Sequence, residues 1–192
     1  MSWLREDRTE LAVGRILSAA GEAFADDGVE GTTMADIARR AGCSRATLYS
    51  YFANRDSLRA AFFGQAAIGL AQEAQHHVAD IDDPARRIVE AILFTVDRVR
   101  ATPILFARFG QGQLAATATV ANSAELLDEI SVGFVGGIDP SLVSDRLLAR
   151  WIVRAIMSLL TLPAADAAEE RALIERLVAP GLISTPQPAS AG

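Results

Sequence analysis

Thr32-Thr33-Met34-Ala35-Asp36-Ile37-Ala38-Arg39-Arg40-Ala41-Gly42-Cys43-Ser44-Arg45-Ala46-Thr47-Leu48-Tyr49-Ser50-Tyr51-Phe52 is the stretch that decides the fold. It reads as two short helices joined by a tight turn containing glycine, which is the plan of a helix-turn-helix. Thr33 starts the first helix, with Asp36 as its capping-box partner. Ile37 and Ala38 give that helix a short apolar face, and Gly42 ends it. Ser44 is the next N-cap, opening a helix over Arg45 to Tyr51. Leu48 and Phe52 fall on one face of it. Arg45, Ala46, Thr47, Tyr49, Ser50 and Tyr51 are left for the other face and its edges. A helix used only for packing has little reason to expose an arginine, a threonine and two tyrosines together. A helix lying in a major groove needs donors near its N-terminus and hydroxyls for phosphates.

Working outward, the chain reads as helices throughout. Alanine and leucine are abundant, β-branched runs are short, and no alternating strand pattern persists. The spacing of Leu11, Ile16, Leu17, Ala20 and Phe24 predicts a first helix over about Thr9–Asp27, with Gly28 as its C′ glycine. Asn54 caps a long helix from Arg55 to about Ala79. Asp83-Pro84 restarts another, running to about Ala101. A short helix follows at Ile104–Phe109, loosened at Gly110 and Gly112 before a helix ending near Val135. Gly136-Gly137-Ile138-Asp139-Pro140 reads as the clearest loop. Helices over about Ser141–Leu162 and Asp166–Val178 close the fold, nine in all. The tail 180–192, rich in Pro, Ser, Ala and Gly, reads as disordered.

Composition narrows the classes. The chain has 192 residues, 51% hydrophobic and 22% charged, which suits a globular chain with a sizeable core. No apolar run reaches the length of a membrane span, and the charged start is no secretory signal; the expectation is a cytoplasmic protein with no membrane partner. The only cysteine, Cys43, forms no internal disulfide. It reads as a small packed residue or, alternatively, as a redox sensor in the turn. The only histidines, His76 and His77, point apart on a helix and lack a third ligand, so neither a metal nor a cofactor is called for. The net charge is −6, yet Arg39, Arg40, Arg45, Arg55 and Arg59 against Asp56 give a local balance of +4, leaving −10 elsewhere. Such a chain can engage a polyanion through the basic stretch and repel it elsewhere.

The stretch resembles the DNA-binding domain of the TetR family of bacterial transcriptional regulators. The resemblance covers about Leu11–Phe63: the Thr-Thr helix start, the Ile-Ala pair, the Ala-Gly turn, Thr47-Leu48-Tyr49, Tyr51-Phe52 and Asn54-Arg55-Asp56-Ser57-Leu58. It implies phosphate contacts from Thr33, Thr47 and Tyr49, and a backbone grip by Arg55 at the start of the fourth helix. It sets Arg45 and Ala46 facing base edges, with Ser50 and Tyr51 near the groove. Ser50 stands where the family often has a larger residue. Independently, Arg45 can pair with guanine, and Arg55 either adds charge to a helix N-terminus that favours phosphate or balances Asp56.

Residues 1–54 are therefore expected to form the DNA-binding domain and 55–179 a helical effector-binding and dimerisation domain. The large apolar residues Phe94, Phe106, Phe109, Phe134 and Trp151 are spread over separate helices. The bland account is a helical core. The resemblance implies a ligand cavity, and the aromatic count suits an apolar or aromatic effector. Leu148, Ile152, Ala155 and Leu159, with Leu173 and Leu177 of the last helix, give apolar surface wider than one stripe. The family uses this helix pair as a homodimer interface. Arg146, Arg150 and Arg154 line another side and call for acidic partners such as Asp145, or an anionic effector. The resemblance implies a repressor on a palindromic operator of double-stranded DNA. The alternatives are an interaction module with a degenerate helix-turn-helix and a small helical enzyme. No nucleophile–base pair, carboxylate pair or phosphate loop supports the enzyme.

Overall fold

Caps and glycines set the helix borders. A computed structural model describes residues 3–106, 124–138 and 146–177, and all regular structure among them is helical. Nine helices follow in order among the described residues: α1 Trp3–Gly31, α2 Met34–Ala41, α3 Arg45–Tyr51, α4 Arg55–His77, α5 Pro84–Arg100, α6 Pro103–Phe106, α7 Ala124–Ile138, α8 Arg146–Thr161 and α9 Ala167–Leu177. They form two units, Met1–Ala66 and Ala67–Gly192. The border falls inside α4, not before Arg55 as expected. The first turns of α4 belong with the helix-turn-helix because Leu58 is fully buried there and the Phe62 ring meets Phe24 edge-on at 5.3 Å.

In the first unit, α1 starts six residues earlier than its apolar period suggested and bends at Gly28 (φ 74°, ψ 158°). Ile16, Leu17, Ala20, Ala23 and Phe24 form its buried face, whereas Leu11 is exposed. Opposite them lie Ile37, Ala38, Leu48 and Phe52. Thr32 is buried, and its hydroxyl donates to the carbonyls of Ala23 (3.1 Å) and Gly28 (2.8 Å), fastening the bend to the start of α2.

The second unit is built on α5, whose Ile88, Val89, Ala91, Ile92, Val96 and Val99 are all buried. Ala71 and Ala74 of α4 with Val78 just past its end, Phe134, Val135 and Ile138 of α7, six residues of α8 and Ile174 of α9 complete that core. The expected loop at Gly136–Gly137 is instead the last turn of α7, and Arg87 donates to its terminal Ile138 carbonyl at 3.3 Å. A Cβ on Gly137 would sit 1.6 Å from the Gln75 side chain, so this glycine serves close helix approach, not a turn. Buried charge ties the unit together. Glu170 accepts two N–H bonds from Arg100 (3.2 and 2.9 Å), which also donates to the Leu159 carbonyl (3.0 Å). Arg171 grips both oxygens of Glu90 (2.7 and 3.0 Å). That pairing, chiefly the hydrogen bond from Arg171, holds the Glu90 carboxyl below the usual carboxylate range.

Candidate nucleic-acid interface

The two short helices α2 and α3 are delimited as their caps predict. Thr33 Oγ1 accepts the Asp36 N–H (3.2 Å) while the Asp36 carboxylate receives the Thr33 N–H (3.3 Å) and hydroxyl (2.5 Å). Those bonds, the hydroxyl's first, hold the Asp36 carboxyl below its ordinary range. Gly42 closes α2 in the left-handed region (φ 68°, ψ 33°), and the Cys43 N–H reaches back to the Ala38 carbonyl at 3.0 Å. A Cβ-bearing residue there costs roughly 1–2 kcal/mol. Ser44 then accepts the Thr47 N–H at 3.0 Å and opens α3.

Within α3 only Leu48 is buried, and Phe52, just past its end, is the second anchor. Arg45, Ala46, Thr47, Tyr49, Ser50 and Tyr51 are all exposed, on the face and edges that Leu48 leaves free. Their polar groups differ in freedom. The Thr47 hydroxyl faces that of Ser44 at 2.9 Å, and Ser50 donates to the Thr47 carbonyl at 2.7 Å. The Thr33 hydroxyl is held by its capping box. Arg45 and the hydroxyls of Tyr49 and Tyr51 have no hydrogen-bond or ion-pair partner among the described residues.

The +4 of the basic stretch is not the charge of the folded face. Arg39 pairs with Asp36 (2.8 Å) and Arg40 with Asp26 (2.7 Å) and Asp27 (3.5 Å). Asp26, hydrogen-bonded to Arg40, raises that guanidinium's pKa. Arg55 donates to the Val29 carbonyl and lies 3.3 Å from Glu30, whose other oxygen is 3.1 Å from Arg59. Arg55 therefore balances Glu30, not Asp56, and its Nε is buried without a partner. Three of these acids, Asp26, Asp27 and Glu30, sit at the end of α1, ahead of the basic stretch in sequence. Arg45 is the one arginine of the five with no ion pair among the described residues.

The residues expected around an effector separate. Phe134 is buried in the core of the second unit, while Phe106 and Trp151 are exposed. Phe109 lies outside the described residues, as do Gly110 and Gly112. Phe94 stacks on His77 (centroids 4.4 Å apart, planes at 21°). The stacked pair borders two open grooves, one with Gly69, Gln72, Glu73 and His76, the other with Glu90, Leu93, Asp97, Arg98 and Arg171. His76 Nδ1 lies 2.7 Å from the Gln72 carbonyl.

The expected dimer residues divide as well. Leu148, Ile152 and Leu159 belong to the core of the unit, and Ala155 is half-buried against it. Within this chain that face packs against α5 and α7. Exposed apolar surface lies on the adjacent flank of α8 and beyond it: Leu147, Trp151 (47% exposed) and Leu162, with Leu173 and Leu177 (60%) of α9. Arg146 and Arg154 are exposed on α8, while Asp145 and the tail 180–192 lie outside the described residues.

A capped glycine-turn helix pair presenting an unpaired arginine and two tyrosines defines a DNA-binding transcriptional regulator of the helix-turn-helix kind. Residues 16–62 match the family model "Bacterial regulatory proteins, tetR family". An HTH-type transcriptional regulator of Mycobacterium tuberculosis is 39% identical over 98% of this chain and 93% of its own. The chain belongs to the TetR family. Among solved structures, the TetR family repressor AlkX of a Dietzia strain, implicated in biodegradation of n-alkanes, has the same fold with a TM-score of 0.72, 23% identity and coverage of 90% of this chain and 96% of its own. Thermus thermophilus FadR, a TetR family repressor solved with lauroyl-CoA, superposes with a TM-score of 0.60 at 20% identity over 94% of this chain and all of its own. No helix among the described residues is long and apolar enough to cross a membrane.

Proposed function

We propose that this regulator is a homodimeric repressor that reads a near-palindromic operator with α3 and is released from it by an apolar or aromatic small molecule. The observation that carries the reading is α3 itself: a seven-residue helix held by one buried side chain and its caps, with all its other residues turned to solvent. Arg45 takes base edges with Ala46 beside it. Tyr49 and Tyr51 supply hydroxyls to phosphate and groove. Thr33, Thr47 and Ser50 reach phosphate through whatever hydrogen-bonding capacity their internal bonds leave. Arg55 joins the backbone contacts when it leaves Glu30.

Self-association supplies the two-fold symmetry that a palindrome demands. Among the described residues, Leu147, Trp151, Leu162, Leu173 and Leu177 offer exposed apolar surface for it on and beside α8 and α9, next to the buried Leu148, Ile152 and Leu159. The first unit reads DNA, and the second binds effector and partner copy. Support for an apolar effector comes from the aromatic wall at Phe94 and from the acyl-CoA ligand of the similar FadR repressor. Because α4 contributes to both units, a ligand that prefers one placement of α4 weakens DNA binding by linkage. Such a repressor works in the cytoplasm and needs no cofactor or metal. The test is a fluorescence-anisotropy titration of duplex DNA flanking the gene, with sedimentation of the free protein. A monomer at micromolar concentration, or equal affinity for all sequences, refutes the proposal.

A further inference from the structure

Glu30 bridges two arginines of α4. Its two carboxylate oxygens each face a guanidinium: Oε2 lies 3.3 Å from Arg55 Nη2 and Oε1 lies 3.1 Å from Arg59 Nη1. The two arginines are one helical turn apart on α4, so one anion bridges both. The layering is ordered. The Arg59 side chain is 15% exposed, Arg55 33%, and Glu30, lying outermost, 61%. A phosphodiester offers the same thing as this carboxylate, a single negative charge shared by two oxygens, and both prefer charge-assisted bonds to guanidinium.

We propose that Glu30 is a built-in competitor for the DNA backbone. It occupies the Arg55–Arg59 pair in the free protein and yields it to a phosphate only when the rest of the interface is engaged. The inference rests on the assignment of this unit to DNA and adds the control of its affinity. Non-specific binding is almost entirely electrostatic. Arginines satisfied internally contribute little to it, since each phosphate contact first breaks an existing pair. On the operator, base contacts fix the register and help bring a phosphate against Arg55, so the exchange goes forward there. Glu30 thereby lowers affinity for random DNA more than for the operator and widens the ratio between them.

Glu30→Gln keeps the shape and removes the charge. Exposed ion pairs are individually worth up to about fivefold in an equilibrium, so freeing two arginines should tighten binding of the full-length protein to a scrambled 30-base-pair duplex about two- to twentyfold. The salt slope should steepen by about one unit per protomer. The gain on the operator should be smaller. In an Arg55→Gln background the gain should shrink, and with Arg59→Gln added it should vanish. Thermal melts identify any variant that fails to fold, and Arg55→Gln alone then suffices. The proposal is overturned if Glu30→Gln leaves the slope unchanged, or if its gain persists without the arginines, which would make it ordinary loss of repulsion. If the wild type binds no duplex at all, or if Arg45→Ala leaves operator binding unchanged, the DNA-reading assignment fails instead, independently of Glu30.

Discussion

Replacing Arg45 with alanine should remove base discrimination and leave the fold alone. The side chain opens α3, is exposed and has no internal partner among the described residues, so its loss breaks nothing within the protein. An arginine near a helix N-terminus also opposes the helix dipole, so folding stability should hold or rise by a few tenths of a kcal/mol. Binding behaves differently. A bidentate pair with guanine is worth about 1–3 kcal/mol of discrimination, or about 5- to 150-fold per half-site, and two half-sites multiply. The affected position should accept all four base pairs nearly equally in the variant, while the wild type keeps its preference. The assay is an anisotropy titration against the operator and each single-base substitution of it, with a thermal melt of both proteins. Loss by one factor on every sequence, with a shallower salt slope, would make Arg45 a phosphate contact and refute the argument. So would a fall in melting temperature, which would reveal a structural role that the exposed position denies.

Leu159→Ala should destabilise by about 2–5 kcal/mol in urea without changing oligomeric state, because that side chain is core. Trp151→Glu or Leu177→Glu should keep the fold and shift sedimentation from dimer to monomer; retention of the dimer would take these residues out of the interface. Arg100→Met strands the buried Glu170 carboxylate and should cost about 3–5 kcal/mol, more than Glu170→Gln, by chemical denaturation. The lowered pKa of Glu90 means that its pairing stabilises fully above the unfolded value of about 4.3, a contribution lost as pH falls through the lower folded value. Urea midpoints should therefore drop between pH 5 and pH 2, and Glu90→Gln should flatten part of that drop. Gly69→Trp, in a groove bordered by Phe94, should blunt release by effector while leaving operator affinity of the free protein nearly intact.

What was legible in the sequence was local. The capping box of Thr33 and Asp36, the left-handed Gly42, the Ser44 cap and the Leu48–Phe52 anchors all act within a few residues, and each stands as its spacing implied. The errors came from partners far along the chain. A charge count over residues 39–59 cannot include Asp26, Asp27 and Glu30, which folding brings to the same arginines. Gly136-Gly137 has the composition of a loop, and only Gln75 lying against it explains the continued helix. On α8 the apolar residues circle most of the helix. Periodicity shows that the apolar surface is wider than one stripe but not that the Leu148–Ile152–Leu159 part of it meets α5. For the aromatic residues, size alone did not separate a core member such as Phe134 from a groove wall such as Phe94.

The brevity of α3 has a further consequence. Seven residues are too few to persist as a helix in water. The order of this exposed surface is borrowed, transmitted through Leu48 from the helices packed behind it. A weakened scaffold would first free α3 to fray, well before the rest of the unit melts. Substitutions at Ile37, Ala20 or Thr32 would then abolish operator binding at temperatures where the helical signal is intact. A genetic screen for lost repression would return them alongside Arg45. Amide exchange in α3 would tell the two groups apart: fast where the support has gone, unchanged where only the contact has.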